Sequence, residues 1–585
     1  MKKTGAELVR YALEQLGVRY TFGIPGVHNT EIYDQLAGSP SITPIRVTAE
    51  GGGSFMADAV SRTNDHVGAM LIVPAAGAAL ATAGMGEAFM AGVPMIVVAG
   101  GTRDDHGFKY QLHEMDQLAM VRPITKGQWR VQTHADIVPT FFKAWELATQ
   151  GEPGPVFIEV PVNLQLFPGE VDHLPVWVAK PSKAPIDDDA IQRAAQMLLG
   201  AKQAGIFAGW GARHASPLLI ELAELLEAPV ATTLQGLSVF PVNHPLHVGM
   251  GIGPAAVPAA ENAFKACDVL LAVGNRFGEI ATGSFGLDPK WQLIHVDINP
   301  DVFHANYPAQ IAIQGDAADV LTALVAKVRV LKSGRASTAA STGLMRSQIA
   351  ADKKSYWDEW LAHDSKDRVN PAVFFQAMRR YLPEDAYVLT DDGNHTFLTA
   401  ELFGVDHSKH LISPTDFNCM GYCVPAAIGV KLTHPDQHVV GIVGDGCFLM
   451  TATEILTATE QGLGVIYCVF NDGELSQISQ AQQLPYNRKA CTVLPEVRLR
   501  GIADAVGAVY LPMASNLQVD SVFQQALATA REGKPVIVDV RIDYSKPTRF
   551  TQGIIKTNLS RMDLGNKLRM AGRAVWRRIV PPSSN

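Results

Sequence analysis

Short apolar runs recur along the chain, and each is followed by a turn rich in glycine or proline and then by a stretch with helical spacing of apolar residues. That order is typical of parallel sheets covered by helices on both faces. It occurs in three blocks and predicts an α/β fold with three doubly wound parallel-sheet domains. The predicted strands are YTFGI, ITPIRV, GAMLIV, PMIVVAG and PVFIEVP in the first block, AGIFAG, PVATTL, VLLAVG and LIHVDI in the second, and YVLTD, VVGIVGD, VIYCVFND and PVIVDVRI in the third.

Two connecting stretches separate these blocks. Residues 164–187 are rich in proline and have no clear period, and residues 332–343 are rich in serine and threonine. Such composition is typical of exposed connections. We therefore predict domains at 1–165, 188–332 and 368–545, followed by a basic tail at 546–585.

One uncharged run, residues 67–86, is about as long as a membrane-spanning helix. It contains Pro74 and many small residues, which favour a turn and a tightly packed helix over a membrane span. We predict a buried strand, a turn and a helix here.

Charge and cysteine content narrow the functional classes. The net charge is −8 and no long basic stripe precedes the last twenty residues, so nucleic acid is a poor candidate for a partner. The six cysteines form no CxxC pair, which fits a reducing compartment. The first residues carry charges at helical spacing and lack the apolar core of a signal peptide. These features predict a cytoplasmic protein.

The most informative segment joins two predicted strands of the third block. The first strand ends in Gly444, Asp445 and Gly446, and the second ends at Asn471. Parallel strands deliver their last residues to one edge of the sheet, so Asp445 and Asn471 are expected to lie side by side. Two hard oxygen ligands suit Mg²⁺, and glycines allow the backbone to approach a diphosphate. Asp-Gly alone is also an ordinary turn dipeptide.

The spacing of this segment resembles the signature of thiamine-diphosphate enzymes, GDG followed by about two dozen residues and then Asn. The chain resembles the acetolactate synthase, benzaldehyde lyase and pyruvate oxidase superfamily over nearly its whole length. The resemblance implies pyrimidine-binding, central Rossmann-like and diphosphate-binding domains in that order. It also implies Mg²⁺ ligands at the Asp445 carboxylate, the Asn471 side chain and the Gly473 carbonyl. Asp472 departs from the family, which usually has a second Asn there.

Further segments carry the same resemblance. TDDGNHTF would place Asn394 and His395 near the diphosphate, and CMGYCVPAAIG would place Met420 as the apolar wedge that bends the cofactor. The remaining residues that the resemblance assigns to cofactor binding are Pro25, Gly26, Val27, Gly444, Gly446, Cys447, Glu474 and Leu475.

VTAEGGGSFMADAVSR resembles the segment that carries the family's acid. Glu50 would stabilise the cofactor's imino form through N1′, and a buried position favours a proton on such an acid. The alternative is a carboxylate that only stabilises a helix N-terminus. In this family the glutamate of one subunit meets the diphosphate domain of another, so a homodimer or homotetramer with active sites at the interface is expected.

The sequence indicates the substrate less clearly than it indicates the cofactor. His28 and His113 would face the reactive carbon by resemblance, and each is a candidate for proton transfer or for a structural histidine. A histidine at position 28 resembles benzaldehyde lyase more than acetolactate synthase. Ala481 replaces the tryptophan that shapes the acceptor pocket of acetolactate synthases. Pocket-lining residues would be Glu474, Leu475, Gln477 and Ile478.

The central block resembles the region in which acetolactate synthases bind FAD. Gly209, Gly211 and Arg276 would contact the flavin, although such glycines also occur at ordinary strand-to-helix turns. The basic tail suits an anionic membrane, a partner subunit, a flap over the active site or a solvated helix.

The resemblance implies a decarboxylating carboligase: an ylide at C2 adds to a 2-oxo acid, CO₂ leaves, and an enamine attacks a second carbonyl. The alternatives are a lyase of the benzaldehyde lyase type acting on a 2-hydroxy ketone and a simple decarboxylase. A non-catalytic nucleotide-binding protein is an alternative of another class. Glu50, Asp445 and Asn471 together argue against it.

Overall fold

A computed structural model describes residues 1–179, 185–333 and 342–579 of the chain. Within them, three six-stranded sheets have only parallel neighbours, and helices flank each sheet. The predicted α/β class with three parallel-sheet domains is therefore confirmed. The exact domain limits stay a prediction, and parts of both predicted connections and the last six residues lie outside the described residues.

The first sheet has the order β3-β2-β4-β5-β7-β6, and a separate antiparallel pair joins β1 to β8. Its strands are β1 (Lys2–Thr4), β2 (Tyr20–Gly23), β3 (Thr43–Arg46), β4 (Gly68–Ile72), β5 (Met95–Gly101), β6 (Gly127–Arg130), β7 (Pro155–Pro161) and β8 (Pro168–Glu170). Its helices are α1 (Gly5–Gln15), α2 (Thr30–Ala37), α3 (Glu50–Thr63), α4 (Ala76–Ala91), α5 (Gln117–Val121), α6 (His134–Thr149) and α7 (Val162–Leu166).

The central sheet has the order β11-β10-β9-β12-β13-β14. Its strands are β9 (Ala204–Ala208), β10 (Val230–Thr232), β11 (His247–Met250), β12 (Val269–Val273), β13 (Gln292–Asp297) and β14 (Ile311–Gln314). The helices are α8 (Asp188–Gly200), α9 (Ser216–Leu226), α10 (Pro258–Phe264) and α11 (Ala317–Ser333), and α12 (Thr342–Leu361) leads to the third sheet.

The third sheet has the order β16-β15-β17-β18-β20-β19. Its strands are β15 (Tyr387–Thr390), β16 (Leu411–Ile412), β17 (Val439–Gly444), β18 (Val465–Phe470), β19 (Val509–Met513) and β20 (Val536–Val540). Its helices are α13 (Pro371–Tyr381), α14 (Asn394–Leu402), α15 (Cys423–Thr433), α16 (Asp445–Thr451), α17 (Ile455–Glu460), α18 (Ser476–Tyr486), α19 (Leu499–Val506) and α20 (Val519–Arg531). The tail forms α21 (Arg549–Arg561) and α22 (Leu564–Ile579).

The uncharged run at residues 67–86 forms the buried strand β4, a turn and the start of α4, as its pattern predicts. In the described part of the chain, no helix has both the length and the apolar character needed to cross a membrane.

The first and third domains share a continuous apolar core, in which α3 packs against α15. Within α3, Arg62 forms a fully buried ion pair with Asp58, and across the contact the Tyr422 hydroxyl donates to the same carboxylate over 2.7 Å. A Cβ on Gly429 would lie 2.4 Å from the backbone oxygen of Met56. The close approach of the two helices therefore requires glycine at position 429.

We expect Gly429→Ala to destabilise the protein by about 1–3 kcal/mol, because the clash is with backbone that cannot move aside cheaply. Gly501→Ala is the matched control, since this helical glycine has nothing within 4 Å of its Cβ position. That variant should be stabilised by about 0.5–1 kcal/mol through lower chain entropy. Denaturant unfolding measures both, and equal midpoints for the two variants would contradict the packing argument.

Candidate functional site

Asp445 and Asn471 lie at the ends of neighbouring strands. Gly444, the last residue of β17, pairs in register with Phe470, the last residue of β18. The residues that directly follow the two strands are Asp445 and Asn471, so both lie at the same edge of the sheet. The strand-end geometry expected from the sequence is present.

Backbone donors hold the Asp445 carboxylate in place. Its Oδ1 accepts from the Gly446 N–H and its Oδ2 from the Gly473 N–H, both over 2.8 Å. Burial raises the pKa of this carboxyl group, and the backbone hydrogen bonds oppose that rise. A buried carboxylate of this kind gains stability from a cation, because a nearby positive charge offsets the cost of burial.

The Asn471 side chain is oriented by a second acid. Its Nδ2 donates to Asp539 Oδ1 over 3.0 Å, and Asp539 Oδ2 accepts from the Tyr510 hydroxyl over 2.8 Å. Because the amide nitrogen is engaged with Asp539, the amide oxygen is the atom that remains for a metal. This is the ligand atom that Mg²⁺ prefers.

The loop after Asn471 closes over the strand ends. Gly473 has φ +78°, a left-handed conformation that favours glycine. Its carbonyl, a predicted Mg²⁺ ligand, accepts a hydrogen bond from the Leu494 N–H over 2.8 Å, which leaves its second lone pair for a metal. Asp472 is not one of the predicted Mg²⁺ ligands. Burial, together with the charges of Asp445 and Glu474, raises its pKa to about 6.

The other predicted residues of the third domain surround this edge. A Cβ on Gly446 would lie 2.4 Å from Leu475 Cδ2 and 3.8 Å from Met420 Cε, so these three residues converge. A Cβ on Gly444 would lie 3.1 Å from the ring of His395. Burial lowers the pKa of His395 to about 3, so its imidazole is neutral at pH 7.

Asn394 and Cys447 are bound to neighbouring elements. Asn394 begins α14, and its Nδ2 donates to Gln480 Oε1 on α18 over 3.2 Å. The thiol of Cys447 donates to the carbonyl oxygen of Asp392 over 3.1 Å. Glu474 differs from the others, because its carboxylate accepts from Lys489 and from the Ser479 hydroxyl. Its contact with the cofactor stays a prediction.

Glu50 is the first residue of α3 and is buried, with 5% of its surface exposed. A Cβ on Gly77 of α4 would lie 3.1 Å from Glu50 Oε1. Among the described residues, the Glu50 carboxyl group has no hydrogen-bond partner. An acid that only capped its own helix would bond to backbone N–H groups, so the geometry favours an acid that faces a ligand.

The start of α3 is capped from the third domain. The Glu454 carboxylate accepts from the Thr48 N–H over 3.2 Å, the Thr48 hydroxyl over 2.6 Å and the Ala49 N–H over 2.8 Å. Burial raises the pKa of Glu454, while these hydrogen bonds lower it. Glu454 therefore fixes the backbone immediately before Glu50.

His28 and His113 lie together, with ring centroids 5.3 Å apart in an edge-to-face arrangement. Burial lowers the pKa of His28, and the nearby His113 lowers it further, so a neutral imidazole is expected at pH 7. Its Nδ1 has no hydrogen-bond partner among the described residues. The preceding loop is held by Asn29, whose Oδ1 accepts from the Gly26 N–H over 2.7 Å. Pro25 and Val27 are exposed.

Sequence reasoning missed several supporting residues. Asp391, at the end of β15, accepts from the Gly421 and Cys423 N–H groups over 2.8 Å and so holds the turn that carries Met420. Its position at a strand end was a usable signal. Glu454 and Asp539 gave no such signal, because their partners are distant along the chain.

A cavity of about 570 Å³ lies between the first and central domains. Asp297, at the end of β13, lines it, and burial raises the pKa of this acid to about 6. Gly211 and Arg276 also line the cavity. A Cβ on Gly209 would lie 2.2 Å from the Gly274 oxygen and one on Gly211 would lie 2.6 Å from Gly274 Cα, so both glycines are required by the packing of two turns. Arg276 forms ion pairs with Glu152 and Asp416.

Three α/β domains with a carboxylate and an amide at adjacent strand ends fit the class of proteins that bind a diphosphate ester through a divalent cation. Family models match in chain order: thiamine pyrophosphate enzyme, N-terminal TPP binding domain, at residues 3–120; central domain at 191–324; and C-terminal TPP binding domain at 391–540. The chain belongs to the thiamine pyrophosphate (thiamine diphosphate) enzyme family.

Curated relatives cover nearly the whole chain. It is 32% identical over 570 residues to the acetolactate synthase large subunit of Haemophilus influenzae, which covers 93% of this chain and 96% of that protein. It is 30% identical over 567 residues to the acetolactate synthase isozyme 3 large subunit of Escherichia coli K12, covering 93% and 95% respectively. A probable acetolactate synthase large subunit of Methanocaldococcus jannaschii is 31% identical over 508 residues, covering 84% and 83%.

Proposed function

We propose that the chain is a Mg²⁺-dependent, decarboxylating carboligase of the acetolactate synthase type that acts on a 2-oxo acid. The observation that carries the proposal is the pairing of Asp445 with Asn471 at adjacent strand ends, in a chain that also buries an unbonded Glu50. The names of the curated relatives support the carboligase class.

The residues fit thiamine diphosphate and Mg²⁺. Asp445, Asn471 and the second lone pair of the Gly473 carbonyl would hold the metal, and Met420 and Leu475 offer an apolar wall beside them. Bound thiamine diphosphate supplies the electron sink that decarboxylation next to a carbonyl requires. Glu50 would hold a proton toward the aminopyrimidine of the cofactor, and the cap by Glu454 would keep it in position.

The acceptor substrate is proposed to be larger than in relatives that carry tryptophan at position 481. Ala481 lines a cavity of about 550 Å³ between α18, α21 and α22. The tail forms one side of this cavity, and Arg573 and Arg577 hold it against α18 by donating to the backbone oxygens of Pro485 and Tyr486. A benzaldehyde-lyase-like reaction on a 2-hydroxy ketone is the second candidate, and the buried, neutral His28 beside His113 favours it.

A homodimer or homotetramer is part of the proposal. Large apolar side chains are exposed near His28 and His113, with 70% of Val27, 77% of Phe108 and 99% of Tyr110 accessible. A group of exposed apolar side chains is typical of a surface that another chain covers. A second copy would bring this surface, and Glu50, to the diphosphate edge of its partner. A cytoplasmic location stays a prediction.

FAD is not required to explain the residues that the sequence assigned to it. Gly209 and Gly211 are needed by backbone packing against Gly274, and Arg276 is neutralised by two carboxylates. No step of the proposed reaction uses a flavin, and the absorbance of the purified protein tests whether one is bound.

The deciding experiment incubates the purified protein with Mg²⁺, thiamine diphosphate and pyruvate, with and without a larger aldehyde, and identifies all carbonyl products. We expect CO₂ release and a carboligation product, and Ala481→Trp should shift the products toward the smaller acceptor. An aldehyde as sole product from every 2-oxo acid would reject the carboligase proposal. Cleavage of benzoin without decarboxylation of 2-oxo acids would favour the lyase.

A further inference from the structure

A second cavity, of about 400 Å³, lies between the central domain, α12 and the third domain. Aromatic residues from three elements line it: Tyr356 and Trp357 on α12, Phe375 on α13, and Phe403 after α14. Its volume lies within the range of small-molecule sites, and its walls are mostly apolar, as such sites usually are.

Two cations of this cavity, Lys353 and Arg379, form no ion pair among the described residues. Asp352 accepts from Asn262 and Gln348, and Glu401 accepts from the Tyr356 hydroxyl and from two backbone N–H groups at the start of α21. Arg379 donates to the carbonyl oxygens of Leu382 and Pro383 and covers the Phe403 ring. The two carboxylates and the Nη2 group of Arg379 therefore have hydrogen-bond partners within the protein.

Lys353 keeps a free hydrogen-bond donor. Its Nζ donates to the Val242 carbonyl oxygen over 3.2 Å and lies 3.1 Å from His247 Nδ1, and the described residues offer it no ion pair. Burial lowers its pKa to about 8, which Asp406 partly opposes. An ammonium group has three donors, so one N–H remains for a ligand. A half-buried cation without an ion pair is costly, and a bound anion would relieve that cost.

We propose that this cavity binds an organic monocarboxylate with an aromatic or branched apolar body, through an ion pair with Lys353. The free N–H of the Lys353 ammonium group matches one carboxylate, and the aromatic walls match an apolar body. The site is separate from the candidate active site: it contacts Ala400 and Leu402 at the far end of α14, about 9 Å along the helix from Asn394. It does not depend on the proposed function.

Calorimetry with 3-phenylpropionate and with the uncharged 3-phenylpropan-1-ol tests the charge requirement on the unchanged full-length protein. We expect the acid to bind on the order of tenfold more tightly than the alcohol, because a charge-assisted hydrogen bond is lost in the alcohol. Equal affinities, or no saturable binding of the acid at millimolar concentration, would overturn the proposal.

Two neighbouring lysines locate the site. Lys353→Met should reduce the affinity for the acid to that for the alcohol. Lys354→Met is the matched control, because Lys354 is exposed on the same helix and pairs with Asp358. The Lys354→Met variant should bind the acid with unchanged affinity. Binding of the acid that is insensitive to Lys353→Met would place the compound elsewhere and reject the assignment.

A measurement without substitutions guards against misfolding of the variant. Acetic anhydride labels accessible amines, and tandem mass spectrometry distinguishes Lys353 from Lys354. We expect 3-phenylpropionate to slow acetylation at Lys353 and to leave Lys354 unchanged. Equal labelling of Lys353 with and without the acid would contradict the proposed ion pair.

Discussion

Glu50→Gln is expected to lower kcat by about 10²–10⁴-fold while thiamine diphosphate still binds. The substitution preserves the size of the side chain and removes the acidic proton. Because Glu50 is buried and makes no hydrogen bond within the described residues, the loss should appear in turnover and leave folding largely intact. Product formation with pyruvate and cofactor affinity by fluorescence quenching are the two measurements.

Glu31→Gln is the matched control for this prediction. Glu31 also lies in the first turn of a helix, α2, and its loss would change any contribution from the helix dipole. We expect kcat to stay the same in this variant. Glu50 would be only a helix-terminal carboxylate if Glu50→Gln kept full turnover. The same conclusion would follow if both variants lost equal stability and neither lost turnover.

Asp445→Asn is expected to weaken the Mg²⁺-dependent binding of thiamine diphosphate by about 100-fold or more, equivalent to about 3 kcal/mol. The carboxylate accepts one backbone N–H at each oxygen. An amide can accept at only one of them and would turn its NH₂ group toward the other donor. The negative charge that a cation requires is lost at the same time. Titration of the cofactor with and without Mg²⁺ measures the effect.

The adjacent acid supplies the control. Asp472 is next to the predicted ligand Asn471, and its charge repels that of Asp445. Asp472→Asn should therefore bind the cofactor no more weakly than the unchanged protein. Equal weakening in the two variants would show that the charge of the whole loop, and not the Asp445 ligand, determines affinity.

The sequence pattern predicts every inner strand of the three six-stranded sheets and misses five of their six edge strands. Inner strands are buried on both faces and read as continuous apolar runs, as β5, β12 and β18 do. The missed edge strands are β6, β11, β14, β16 and β19, whereas the edge strand β3 was predicted. The separate antiparallel pair of β1 and β8 was also missed. They are short, and β6 (GQWR) is only half-buried, so neither length nor hydrophobicity distinguishes them from loops.

The candidate site shows the same division. Asp445 and Asn471 were predictable because each follows an apolar strand directly, and strand ends meet at one edge. The partner of Asn471, Asp539, lies 68 positions away, and no local pattern links them. The contact of Glu474 with the cofactor stays a prediction, based on its place after the metal loop. Its pairing with Lys489 depends on how the following segment folds back, which spacing does not reveal.

The cap at the start of α3 also bears on the order of events during synthesis. Thr48 and Glu454 are separated by 406 positions, so their hydrogen bond cannot form when the first domain leaves the ribosome. At about 5–20 residues per second, translation of the intervening segment takes roughly 20–80 s. Throughout that interval the nascent chain contains Glu50 without the carboxylate that fixes its backbone, and the acid is set in place only after more than three quarters of the chain has been made.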